Sequence, residues 1–105
     1  MEHKKTQHHD TFPRRIRKRL GERVRGILLF GSQARGDARA DSDTDYLVLV
    51  TEVSSEVNDI VDDEAGRVLV EEGRVISAFA VSEGDFERYI FSPVFINIRR
   101  EGIAV

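Results

Sequence analysis

Two short apolar runs separated by a polar segment form the most distinct pattern in the chain. The runs cover Ile27–Phe30 and Tyr46–Val50, and Gly31 follows the first of them directly. Apolar runs of this length, bounded by Gly, Ser and Asp, are typical of buried strands. The pattern therefore predicts two strands, the first starting at Val24, joined by a loop that carries the functional groups.

Helical periodicity is present on both sides of this pair of strands. Thr11 or Asp10 is a suitable cap for a first helix, which has Pro13 in its first turn. Its apolar positions are Phe12, Ile16 and Leu20. A second helix begins after Ser54 or Ser55. The apolar positions along one of its faces are Val57, Ile60, Val61, Ala65, Val68 and Leu69.

The last part of the chain predicts a third strand and two short helices. The strand covers Arg74–Val81, and the helices are capped by Ser82 and by Ser92, the latter followed by Pro93. The apolar residues expected to face inward are Phe86, Tyr89 and Ile90 in one helix and Val94, Phe95 and Ile98 in the other. The tail Ile103–Val105 either adds an edge strand or packs loosely.

This order of elements predicts the fold class. The short link between the first two strands suits neighbouring strands, and the long helix before the third strand permits a crossover. The chain is therefore predicted to be a small α/β domain of the α+β type, with a mixed sheet of three or four strands packed with helices. The domain covers residues 11–105, and the polar residues 1–10 form a disordered tail.

Charged residues occupy the outer faces of both long helices. The first helix carries the basic residues Arg14, Arg15, Arg17, Lys18 and Arg19. This basic face is either solvated or docks to an acidic partner or a phosphate substrate. The second helix carries the acidic residues Glu56, Asp59, Asp62, Asp63, Glu71 and Glu72, for which solvation is the ordinary explanation.

Composition excludes several classes of protein. With 105 residues, 40% apolar and 33% charged, the chain is expected to form one folded domain. Its net charge of −3 does not favour a nucleic acid or a membrane as partner. It has no cysteine and no apolar segment that would span a membrane, so we expect a cytoplasmic protein. The residues His3, His8 and His9 lack acidic or Cys ligands at a fixed spacing, so they do not predict a metal site.

The segment between the first two strands predicts a phosphate and metal site. Gly31 lets the backbone approach a ligand closely, and a short helix over Ser32–Arg35 would point free N–H groups at an anion. Asp43 and Asp45 are two residues apart at the start of a strand, which places both carboxylates on one side of the sheet. Two carboxylates beside a phosphate site suit Mg²⁺.

The same residues resemble a known family. The motif consists of Gly31-Ser32, ten intervening residues that include Ala34-Arg35-Gly36, and then Asp43-x-Asp45. It resembles the signature of the DNA polymerase beta-type nucleotidyltransferase superfamily, in its minimal nucleotidyltransferase branch. The resemblance is sharpest over residues 28–50 and extends more loosely to the whole chain, including its ending PVFINIRREGI.

The resemblance implies a role for each residue of the motif. Gly31 and Ser32 would hold the β- and γ-phosphates of a nucleoside triphosphate, which we expect to be ATP. Asp43 and Asp45 would bind Mg²⁺ and are the implied catalytic residues. Arg35 and Arg39 are candidates for further phosphate contacts. Arg35 is equally well explained as a surface residue paired with Asp37 or Asp41.

The sequence departs from the family pattern at one position. Catalytic members usually carry a third carboxylate on the strand after the crossover helix, and here Arg74–Val81 contains none. Ser77 occupies or neighbours that position. Glu83 and Asp85 follow the strand and are possible substitutes, although capping the next helix is the favoured explanation for them. A hydroxyl group at Ser77 predicts slow or partner-dependent turnover.

The resemblance also implies a biological context. Small members of the family often act as the antitoxin of a toxin–antitoxin pair with a HEPN-domain protein, and some transfer AMP to the toxin. We therefore expect Mg²⁺-dependent transfer of AMP to a hydroxyl of such a partner. The alternative is a weak or inactive module that neutralises a partner by contact. The sequence leaves open whether the chain forms a homo-oligomer.

Overall fold

A computed structural model describes residues 11–36 and 43–105, so the prediction for the N-terminal tail lies outside the described residues. The helices are α1 (Thr11–Leu20), α2 (Ser32–Arg35), α3 (Ser55–Glu72), α4 (Glu83–Arg88) and α5 (Pro93–Glu101). The strands are β1 (Val24–Phe30), β2 (Thr44–Val50), β3 (Ile76–Ser82) and β4 (Ile103–Ala104). The predicted order of elements is confirmed within these ranges.

The four strands form one mixed sheet in the order β3-β2-β1-β4. β1 is antiparallel to β2 and to β4, whereas β2 and β3 are parallel. The short link after β1 therefore joins neighbouring antiparallel strands, and α3 makes the crossover, as predicted. The chain end forms an edge strand, because Ile103 pairs with Leu29 and Ala104 pairs with Leu28.

Helices cover both faces of the sheet. α1 and α3 pack on the face that carries Tyr46 and Val48, and the ring of Phe12 stacks on that of Tyr46 with centroids 4.9 Å apart. The opposite face carries Leu47, which packs in a second buried cluster with Phe86 of α4 and Ile98 of α5. Since side chains alternate along a strand, β2 supplies both cores.

Local signals in the sequence determine where the helices begin and end. Ser54 accepts a hydrogen bond from the Val57 amide at 3.1 Å, and Ser82 accepts one from the Asp85 amide at 3.1 Å. These bonds satisfy amides that lack partners inside their helices. Gly73 ends α3 with a φ of +70°, a conformation that favours glycine. None of the described helices combines the length and the apolar character needed to cross a membrane.

Ion pairs between α1 and α3 change the interpretation of both charged faces. Arg19 lies 2.6 Å from Asp63 and 2.8 Å from Glu64, and Arg15 also contacts Glu64, at 3.6 Å. Glu64 is only 3% exposed, because its position lies on the apolar stripe of α3, although a glutamate is a residue type that is seldom buried. Part of the basic face of α1 is thus paired with the acidic face of α3. Simple solvation does not describe either face.

Four of the apolar residues expected to face inward are exposed instead. Leu69 is 49% exposed, because the buried stripe of α3 runs through Glu64 and Val68. Tyr89 and Ile90 are also exposed. α4 ends at Arg88, so helical periodicity no longer applies to the two residues that follow it. Val94 of α5 is likewise exposed, whereas Phe86 and Ile98 are buried as predicted.

Candidate active site

Gly31 and Asp45 form the centre of the candidate site. Phe30, the last residue of β1, is the register partner of Asp45 on β2. Gly31 comes directly after Phe30, so it lies beside the Asp45 carboxylate. A Cβ atom at Gly31 would lie 3.2 Å from Cγ of Asp45 and even nearer to Oδ2. Its φ of +78° is also unfavourable for other residues. Both the space and the backbone conformation therefore require glycine here.

The predicted short helix starts at this glycine. The carbonyl of Gly31 accepts hydrogen bonds from the amides of Ala34 and Arg35, both at 3.1 Å. Gly36 closes the turn with a left-handed conformation. The amides of Ser32 and Gln33 come before the first intrahelical donor, so they remain available to an anion at this end of the helix.

Asp45 and Asp43 lie at the start of β2 on the same edge of the fold. Asp45 is the second residue of the strand and is half-buried, whereas Asp43 precedes the strand and is exposed. Desolvation raises the pKa of Asp45 above its ordinary value, the Asp43 charge raises this pKa further, and the Arg35 charge opposes the rise. The two negative charges are therefore close enough to repel each other, which suits a site for a cation.

Arg35 of α2 forms an ion pair with Glu101 of α5, with Nη1 and Oε1 3.3 Å apart. Its two pairing candidates from the sequence, Asp37 and Asp41, lie outside the described residues, and so does Arg39. The positive charge of Arg35 acts to lower the pKa of Asp45, so Arg35 lies within electrostatic range of the site.

Sequence reasoning missed Thr44 and Arg74. Thr44 separates the two aspartates and is buried, and its hydroxyl accepts a hydrogen bond from Arg74 at 2.6 Å. The Thr44 amide also donates to the Val75 carbonyl at 3.0 Å. These contacts fix the start of β2 and hence the backbone that carries both carboxylates. No signal in the sequence links residues 30 positions apart in this way.

Ser77 is the residue predicted to occupy or neighbour the position of the third carboxylate. It is the register partner of Asp45 on the adjacent strand β3. Glu83 and Asp85 lie beyond the other end of β3, about 20 Å from Ser77 at the usual rise per residue. Glu83 pairs there with Arg25, at 3.2 Å. Within residues 11–36 and 43–105, no three His, Asp or Glu side chains form a metal-binding group.

The donor set at this site fits a magnesium ion. Mg²⁺ is commonly held by one or two carboxylates together with substrate phosphates and water. Asp43 and Asp45 supply two carboxylates, and Gly31 leaves space where any side chain would meet Asp45. The site thus combines hard oxygen ligands with amides that suit a phosphate.

Comparison with known proteins assigns the chain to a family. Residues 13–98 match the family model described as a nucleotidyltransferase domain. The chain belongs to the nucleotidyltransferase family. The resemblance noted in the sequence is thereby confirmed, and the protein is an enzyme of this family.

A relative and two solved structures agree with this assignment. The chain is 34% identical over 91 residues to the "Putative protein adenylyltransferase" of Methanocaldococcus jannaschii, with 87% of each chain covered. A structure described as a toxin–antitoxin with AMP-PNP has a TM-score of 0.61 and 14% identity, over 89% of this chain and 68% of that one. A Sulfolobus solfataricus structure described as a "putative nucleotidyltransferase" has a TM-score of 0.53 and 16% identity, over 92% and 84%. At such identities the two structures show the fold alone, and the predicted fold class is confirmed.

Proposed function

We propose that this nucleotidyltransferase transfers AMP from ATP to a hydroxyl group of a partner protein, with Mg²⁺ bound at Asp43 and Asp45. The observation that carries this proposal is the position of Gly31 against the Asp45 carboxylate at the start of α2. That arrangement supports the proposal because it would put a phosphate-binding turn next to two metal ligands. The choice of AMP is supported by the relative named as an adenylyltransferase.

The turn at Gly31 would hold the triphosphate. The amides of Ser32 and Gln33, with the Ser32 hydroxyl, would donate hydrogen bonds to the β- and γ-phosphates. The positive charge of Arg35 would also attract the triphosphate, since it is near enough to the site to lower the pKa of Asp45. Because Gly31 has no Cβ, the phosphates can approach the Asp45 carboxylate closely enough to share a cation with it.

Asp43 and Asp45 would hold the ion. When bound, Mg²⁺ supplies charge neutralisation on the phosphates and alignment of the reacting groups. The chain positions its two carboxylates through Thr44, whose side chain is buried and hydrogen-bonded to Arg74. The half-buried position of Asp45 excludes part of the water around the α-phosphate and so strengthens the local electrostatics.

The acceptor would approach the end of the sheet at which Asp45 and Ser77 stand in register. Its hydroxyl oxygen forms a bond to the α-phosphorus of ATP, the bond to the β-phosphate oxygen breaks, and pyrophosphate leaves. Ser77 stands in register with Asp45 at that end, but its hydroxyl is a poor proton acceptor at neutral pH. Solvent or the partner protein then receives the acceptor's proton, which makes turnover slow or dependent on the partner.

The proposed partner is a HEPN-type toxin, with this chain as its antitoxin in the cytoplasm. The support is the structural neighbour described as a toxin–antitoxin with AMP-PNP, together with the relative described as acting on protein. Neutralisation by contact alone is the second candidate, because β3 lacks an acidic residue between Ile76 and Ser82.

The test is intact-mass analysis of the product of the adjacent gene after incubation with this protein and Mg²⁺-ATP. We expect an AMP adduct with the wild type and none with Asp43→Asn or Asp45→Asn. Asp59→Asn, an exposed aspartate of α3, is the matched control and should act like the wild type. Tight association without an adduct supports neutralisation by contact, and an adduct that persists in both site variants contradicts the proposed site.

A further inference from the structure

The outer edge of β3 is long and open. β3 is at one end of the sheet and runs for seven residues, whereas β4 at the other end has only two. Within the part of the chain that the structure describes, no strand pairs with β3 on its outer side. A row of unpaired N–H and C=O groups is a template for pairing with another strand.

The backbone groups that face outward follow from one hydrogen bond. The Val75 carbonyl accepts from Thr44 of β2, so the N–H and C=O of Val75 point into the sheet. Since successive residues of a strand alternate in direction, Ser77 and Phe79 also point their backbone groups inward. The outward groups therefore belong to the even-numbered residues Ile76, Ala78, Ala80 and Ser82.

This edge lacks the features that usually protect an edge strand. Soluble proteins block open edges with Lys, Pro or a bulge, yet the segment from residue 75 to 82 contains no charged residue and no proline. Apolar side chains also flank it. Phe79 is 38% exposed on one face of the sheet, and Val75 is exposed just before the strand.

An exposed side chain of α3 extends the apolar surface on the other face. Glu64 and Glu71 of α3 contact α1. At 3.6 residues per turn, Leu69 lies about 140° around the helix axis from Glu64 and about 160° from Glu71, so it is on the side of α3 away from α1. α3 packs on β3, so the side of α3 away from α1 is the side above the open edge. Leu69 and Phe79 therefore leave apolar surface on both faces of this edge.

We propose that two copies of this chain pair antiparallel along β3 and form one continuous eight-stranded sheet. Full overlap of the seven residues places Phe79 opposite Phe79 of the partner subunit, because Phe79 is the middle residue of β3. The outward-facing Ala78 then lies opposite Ala80 of the partner subunit, in a hydrogen-bonded pair of small side chains. Phe79 falls in a non-hydrogen-bonded pair, where side chains approach more closely and aromatic pairs stabilise a sheet.

The charges at the two ends of β3 favour a second copy in this direction. Arg74 precedes the strand and Glu83 follows it. In the antiparallel register the end of the partner subunit's β3, which Glu83 follows, lies beside Val75 and Arg74, and the same arrangement recurs at the other end. Within its own chain Glu83 also pairs with Arg25 and Arg74 also donates to Thr44, so these charges would be shared between the two contacts. Parallel pairing would instead bring like charges together.

Two measurements test the dimer itself. Sedimentation velocity on the wild-type protein, from low to high micromolar concentration, should show a species of twice the chain mass that dissociates on dilution. Phe79→Lys should remove this species, because two lysines would lie opposite each other. Phe91→Lys makes the same change at a side chain that is 86% exposed and remote from β3 in sequence, and it should leave the dimer intact. Circular dichroism verifies that both variants are folded.

Single cysteines test the register, since the chain has no cysteine of its own. Phe79→Cys should form a disulfide-linked dimer under mild oxidation, because the two Cα atoms of a non-hydrogen-bonded pair lie about 4.5 Å apart, within disulfide range. Ser77→Cys should not, because it lies about 14 Å from its own copy in this register.

A wild type that stays monomeric at every concentration overturns the proposal. So does a dimer that persists in Phe79→Lys but dissociates in Phe91→Lys. Equal cross-linking by Phe79→Cys and Ser77→Cys rejects the register. None of these outcomes depends on nucleotide transfer.

Discussion

The Cα of Gly31 lies against the carboxylate of Asp45, and this contact joins the proposed phosphate-binding turn to the proposed metal ligands. It arises because Phe30 and Asp45 are register partners, so the residue after β1 has to turn directly beside the start of β2. A side chain at Gly31 would occupy the space where phosphate and carboxylate meet. The two parts of the motif, separated in sequence, thus depend on each other.

Replacing Gly31 by alanine should abolish nucleotide binding. Gly36 offers a control for a positive φ, because its φ is +83° while a Cβ there would contact nothing within 4 Å. Gly36→Ala in its left-handed conformation should lose roughly 1–2 kcal/mol of unfolding free energy, and Gly31→Ala, with a ψ of −157°, should lose at least as much, about 1–3 kcal/mol. The rise in melting temperature on adding Mg²⁺-ATP should vanish only in Gly31→Ala. Equal responses of the two variants would show that the contact with Asp45 is unimportant.

Asp45→Asn should stabilise the ligand-free protein while it eliminates the response to Mg²⁺-ATP. The pKa of Asp45 is raised by desolvation and by Asp43, so its ionised form is less favourable in the folded state than in the unfolded state and lowers the stability above the folded pKa. A neutral amide removes this penalty, and it also removes a metal ligand. Thermal melts with and without Mg²⁺-ATP measure both effects. A lower melting temperature of the ligand-free variant would contradict the electrostatic account.

Ser77→Asp should accelerate the proposed transfer by at least about tenfold, because a positioned general base contributes typically 10²–10⁴. The new carboxylate would stand in register with Asp45, and like charges opposite each other destabilise a sheet. We therefore expect a lower melting temperature without Mg²⁺ that recovers when Mg²⁺ is added. Initial rates of AMP incorporation give the measurement. Ser77→Asn, which has the same shape without the charge, should not accelerate the reaction.

Asp63 should make the stability of the protein sensitive to acid. A hydrogen bond from Arg19 is the main reason that the pKa of Asp63 is lowered. The carboxylate therefore stabilises the fold fully above its unfolded pKa of about 3.9. This contribution is lost as the pH falls through the lower, folded pKa. Urea denaturation should show Asp63→Asn less stable than the wild type at pH 6, with the difference shrinking below pH 3. A difference that does not depend on pH would exclude the ion pair as its cause.

Much of the fold followed from local chemistry. Ser54, Ser82 and Gly73 place helix ends by satisfying backbone groups nearby, so they are readable from the sequence. The apolar run Tyr46–Val50 predicted a buried strand from residue types alone. Residue type was misleading where a contact partner decided the outcome, since helical spacing puts position 64 on the buried face of α3 but a glutamate is seldom buried. Glu64 is buried because Arg15 and Arg19 neutralise it from another helix.

The sequence by itself determined the components of the candidate site, and the tertiary structure decided how they combine. Gly31 and Asp45 are recognisable from residue type and spacing, because each has a conformational or chemical property that few other residues share. Their contact depends on the register between β1 and β2. The register of β2 with β3 likewise places Ser77, rather than Glu83, beside Asp45. Strand register is set by long-range packing across the whole sheet, which no local pattern specifies.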